Sequence, residues 1–99
     1  MLSRAQLLRI SKLATADMIV GKNADDIKAS DTPADLGLAS GDMPSVKDSL
    51  TVRVRNGLTN AEQTRFNEQD YRNELQFDSK ATISEITDDS EDGQVAALA

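Results

Sequence analysis

The sequence predicts a small, helix-rich α+β domain with a long amino-terminal helix, one to three short strands, an extended loop and tails. Three observations predict it. Residues Leu2 to Gly21 carry a complete set of helix start and stop signals. Residues Ser49 to Arg55 alternate apolar and polar. From Gly37 to Ser49 the chain is mostly Gly, Ser, Asp and Pro with isolated apolar residues. The expected organisation is one small domain over residues 1–83, with 21–49 as an extended loop containing short helical turns, and an acidic tail over 84–99.

The first helix is expected from Arg4 to Val20. Ser3 and Gln6 have the spacing of a capping box, in which each side chain takes the other residue's backbone N–H. Leu2 and Leu7 then occupy the positions of a hydrophobic staple. Gly21 follows the last apolar residue, where a helix commonly ends in a left-handed conformation. At about 100° per residue, Leu7, Ile10, Ala14 and Met18 form one stripe. Leu8 and Ile19 form a second ridge, and Leu13 and Val20 a third nearly opposite. A helix apolar on several sides is enclosed by other elements or by other chains. Leu7, Leu8, Ile10, Met18 and Ile19 are therefore candidate partner-binding residues, with a central core helix as the competing reading.

Asn23 caps a short helical turn whose Asp25 and Asp26 suit its positive end. Thr32-Pro33-Ala34-Asp35-Leu36-Gly37 repeats that logic, with a Thr cap, an early Pro, an acid and a Gly stop. From Gly37 to Ser49 the residues predict an extended loop laid against another surface. In Ser49–Arg55, Leu50, Val52 and Val54 share one face of a half-buried strand, and Thr51, Arg53 and Arg55 the other. Arg53 and Arg55 join the candidate partner-binding residues as its outward basic face. Thr59 and Glu62 form a second capping box, opening a helix to about Gln76 in which Glu68 and Arg72 pair one turn apart. Leu75 and Phe77, then Ala81 and Ile83, suggest a short hairpin around Asp78 and Ser79.

Composition excludes several chemistries. The chain has 99 residues, no cysteine and no histidine, which removes disulfides, thiolate and imidazole metal sites, and Cys/His nucleophile–base pairs. Phe66, Tyr71 and Phe77 are its only aromatic residues, so the core is small. Residues 1–57 hold 8 basic and 7 acidic groups and residues 58–99 hold 3 and 10, so the two parts carry +1 and −7. The apolar runs are too short to span a bilayer.

Asp88 to Val95 has the opening of an EF-hand loop, with Asp88, Ser90 and Asp92 at alternate ligand positions and Gly93 at the turn. The twelfth position is Ala99 instead of a bidentate Glu, so a solvated acidic turn is the better reading. Arg4, Arg9, Lys12, Arg53 and Arg55 offer cations to phosphates, but no aromatic residues interleave for base stacking and the chain is acidic overall. Nucleic acid is disfavoured. No phosphate loop, nucleophile elbow or metal signature is present, so neither an enzyme nor a cofactor is expected.

The expected function is that of a non-enzymatic structural or interaction protein within a larger assembly, through self-association or a protein partner. A small virion component, capsid-associated or from a phage connector region, has this character, and the expected location is intracellular or in a virion. The alternative is an acidic regulatory binder: an inhibitor, a nucleic-acid mimic or an antitoxin-like protein.

Overall fold

In the computed structural model, which describes residues 2–75 and 77–90, these residues fold into five α-helices. They are α1 (Arg4–Ala16), α2 (Met43–Gly57), α3 (Asn60–Arg65), α4 (Glu68–Glu74) and α5 (Ile83–Ser90). Single 3₁₀ turns at Ala24–Asp26 and Ser40–Asp42 lie in the connection between α1 and α2. There is no strand among the described residues, so the expected α+β class is corrected to an all-helical one.

The start of α1 is as the sequence predicts. Gln6 N–H donates to Ser3 Oγ at 3.2 Å, and Ser3 N–H donates to Gln6 Oε1 at 2.7 Å. Its end comes earlier. After Ala16 the chain tightens, with Met18 N–H bonding Thr15 O and Ile19 N–H bonding Ala16 O before Gly21 turns at φ 79°. Gly21 therefore closes a run of turns that follows the helix, not the helix itself. Around Pro33 the expected one-turn motif forms in full. Thr32 and Asp35 cap each other, Gly37 has φ 91°, and Leu38 N–H reaches Pro33 O while Gly37 N–H reaches Ala34 O. That bond pair is a Schellman closure.

The largest correction concerns the expected strand at Ser49–Arg55, which is the middle of α2. Met43, Val46, Leu50 and Val54 repeat every three or four residues, and all four are buried. Val52, expected beside Leu50 and Val54, is instead 49% exposed. The alternating window was too short to separate the two periods. The deciding positions, Met43 and Val46, lay in the stretch read as a loop, where Pro44 is also a first-turn residue. Burial of this stripe overrides the weak helix propensity of Thr51, Val52 and Val54.

The expected helix from Thr59 to Gln76 divides in two. The Thr59–Glu62 capping box opens α3. At Phe66 the backbone becomes extended, and Asn67 then caps α4 by accepting from Asp70 N–H at 3.0 Å. The break turns Phe66 inward against Tyr71, with ring centroids 5.4 Å apart. The expected hairpin is absent too. Leu75, Phe77 and Ile83 are separate core anchors joined by a turn in which Lys80 N–H bonds Asp78 Oδ1. Thr82 then caps α5 through Glu85 N–H.

The core lies where α1 packs on α2 and α5, with α4 against α2. Leu7 and Ala14 of α1 meet Val46, Leu50 and Val54 of α2 and Ile83 and Ile86 of α5, all 2% exposed or less. Ile86, expected in the acidic tail, thus supplies part of the core. The connection between α1 and α2 is fixed to the segment before α5 by Ala34 N–H to Ser79 O, and to the first turn of α5 by Ile83 N–H to Asp31 O and Ser84 N–H to Ala29 O. Most of the calcium-loop-like stretch Asp88–Val95 lies outside the described residues.

Candidate interaction surface

The sequence-derived partner-binding residues fall into three groups. Leu7 is 2% exposed and wholly committed to the core. Leu8, Ile10, Met18 and Ile19 are partly buried and pack against the core with one edge open. Arg53 and Arg55 are engaged within the chain. On a helix, residues two apart point to nearly opposite sides, so these arginines do not form the single basic face expected of a strand.

Arg53 reaches back to α1. Its Nε and Nη2 both donate to the Asp17 carboxylate, with the closest approach 2.7 Å, and Ser49 Oγ adds a bond of 2.8 Å. Burial disfavours ionised Asp17, but the hydrogen bonds from Arg53 and Ser49 and the guanidinium charge outweigh it, holding the carboxyl below its ordinary value. Arg55 turns the other way, to Glu68 on α4 at 2.8 Å. Arg72 pairs with Asp48 at 3.2 Å, so the expected Glu68–Arg72 pair gives way to two pairs between α2 and α4. Arg9 meets Asp25 at 2.6 Å.

What α1 leaves open lies at its amino-terminal end. Leu2, Ala5, Ile10 and Gly57 line a shallow, mainly apolar depression of about 430 Å³, with Gln6 and Arg9 at its polar edge. Gly57, the last residue of α2, makes the approach possible. A Cβ there would stand 3.2 Å from Leu2 Cδ2 and 3.9 Å from Ile10 Cδ1. Sequence reasoning identified Ile10 but missed Ala5 and Gly57. The dipeptide Asn56-Gly57 also has the residue types of a tight turn, which conceals Gly57 as a packing position. Two further apolar side chains face solvent: Val20, after α1, and Val52 on α2.

A second concavity runs between the first turns of α2 and α4. Its larger part, about 470 Å³, is lined by Met43, Pro44, Lys47, Gln69, Arg72, Asn73, Phe77 and Ser40. It continues into a recess of about 330 Å³ that reaches Leu75, Asp78 and Ser79, where the Ser40 and Ser79 hydroxyls lie 3.1 Å apart. Among the described residues no group of carboxylates is placed to hold a metal ion. No helix among them is long and apolar enough to cross a membrane.

No protein-family model, curated protein or solved structure matches this chain.

Proposed function

We propose that this chain is a non-enzymatic interaction protein working inside a larger assembly, in which copies meet through the apolar depression at the start of α1. The observation carrying this reading is that depression: Leu2, Ala5, Ile10 and Gly57 present apolar surface on an otherwise charged molecule. Contiguous exposed apolar surface rimmed by polar groups is characteristic of protein contact sites. Arg9 at the rim is already neutralised by Asp25, which lowers the cost of covering it. A capsid-associated or connector position in a phage particle is one assembly of this kind. The acidic-mimic alternative is weakened because Asp17, Asp25, Asp48 and Glu68 are each turned to an arginine of the same chain.

Sedimentation equilibrium tests the reading. The expected result is a concentration-dependent mass above the 10.7 kDa of one chain. Ala5→Asp should remove it without changing the circular dichroism spectrum, because Ala5 is exposed and outside the core. A chain that stays at 10.7 kDa up to millimolar concentration overturns assembly through this face.

A further inference from the structure

We propose that the apolar depression at the start of α1 receives Val20 of a second copy of this chain. The inference rests on the reading that copies meet through this depression, and it names the surface that the other copy brings there.

Val20 is the first observation. It is the most exposed large apolar side chain among the described residues. It is also held in place. Lys22 N–H closes on Ile19 O across Val20 and Gly21, and Gly21 has φ 79°, so Val20 occupies the first corner of a type II turn. Ile19 N–H bonds Ala16 O, which fixes that turn on the end of α1. Corners of turns favour Gly, Pro, Asn, Asp and Ser. Here the corner carries a valine, with the open edges of Met18 and Ile19 beside it. A single exposed apolar side chain is ordinary, but three in succession on a hydrogen-bonded turn form a projecting apolar tip.

The second observation is where tip and depression stand. Leu2, Ala5, Ile10 and Gly57 line the depression at the start of α1, and the tip follows the end of that helix. From Ala5 to Ala16 the helix rises about 16 Å, so Val20 does not reach the depression of its own chain. A projection and a recess at opposite ends of one helix can meet only between copies. Made reciprocally, the contact closes a two-fold pair; made once per copy, it repeats into a ring or an open chain. Charge is the third observation. The chain has 17 acidic residues against 11 basic ones, so its copies repel. Residues 18–22 contain no carboxylate, and neither do the residues lining the depression. Arg9 at the edge of the depression is paired with Asp25, so Lys22 beside the tip meets no uncompensated cation there. These two surfaces therefore come together without setting acid against acid.

Sedimentation equilibrium of two variants, alone and mixed, tests this. Val20→Asp removes the tip and keeps the depression, whereas Ala5→Asp removes the depression and keeps the tip. Both positions are exposed, so each variant should retain the circular dichroism spectrum of the native chain. Each alone should stay at the mass of one chain. Their equimolar mixture should form pairs of chains and nothing larger, because only one intact tip and one intact depression remain to meet. Val20→Ser, which adds no charge, should weaken self-association about ten-fold, the ratio for burial of one valine side chain. If Val20→Asp associates as strongly as the native chain, the tip is overturned while assembly through the depression stands. A mixture that stays at the mass of one chain, under conditions where the native chain associates, also overturns the tip alone. A native chain that remains single at every concentration overturns both readings.

Discussion

Asp17 stands just past the end of α1, where its carboxylate ties that end to Arg53 and Ser49 on α2. Its pKa is lowered in the folded state, against the opposing effect of burial. The stabilisation it provides is therefore complete above the unfolded-state value, near 3.9, and is lost as pH falls through the lower folded-state value. Urea midpoints measured from pH 7 down to pH 2 should fall more steeply for the native chain than for Asp17→Asn. A double-mutant cycle with Arg53→Ala should give a coupling of about 0.5–1 kcal/mol, since both side chains remain more than a third exposed. Parallel pH profiles for the native chain and Asp17→Asn would remove Asp17 from the acid response. No sequence signal pairs these residues, because the contact exists only once α1 and α2 have docked.

At the level of elements, α2 makes the clearest contrast. Leu50 is fully buried and Val52 is half exposed, although an alternating strand would have placed them on one face. Leu50→Ala should cost about 2–5 kcal/mol, through lost burial and the cavity left behind. Val52→Ala should stay within about 0.5 kcal/mol. Comparable losses from chemical denaturation would count against the helical register. Thr82→Ala should cost about 1 kcal/mol by removing the cap of α5.

These elements also show what was legible in the sequence. Capping boxes at Ser3–Gln6 and Thr59–Glu62 and the closure at Gly37 are local, and they form where the residues place them. Thr82-Ile83-Ser84-Glu85 has the same capping pattern and was available to read, but the surrounding acids drew it into a tail. The strand and hairpin failed for another reason: short apolar alternations fit two periods, and tertiary burial chooses between them. Of the candidate surface, Ile10 was legible from α1 alone. Its neighbours Leu2 and Gly57 come from separate elements, so their meeting was not.

Across the whole molecule, net charge opposes the proposed assembly. The formal charge is −6 at pH 7 and the sequence pI is about 4.5. Like-charged copies repel, and that repulsion weakens as carboxylates take up protons. Association should therefore strengthen from pH 7 to pH 5, measured by sedimentation at fixed ionic strength. Ala5→Asp should suppress it at both values. A variant that associates as strongly as the native chain at pH 5 would indicate charge neutralisation without a specific face.

The bonds joining Ala29, Asp31 and Ala34 to Ser79, Ile83 and Ser84 have a further consequence, in the kinetics of the chain. They connect segments far apart in sequence and outside any shared helix, so they can form only after a long loop has closed. The amides of Ala34, Ile83 and Ser84 should therefore behave as one cooperative unit, exchanging hydrogen at a common free energy, while the turn after α1 opens at lower cost. In refolding they should gain protection together and late, after the local turns capped by Ser3, Thr32 and Thr59. The acidic α5 would then be the latch that makes the fold a closed object instead of a string of helices.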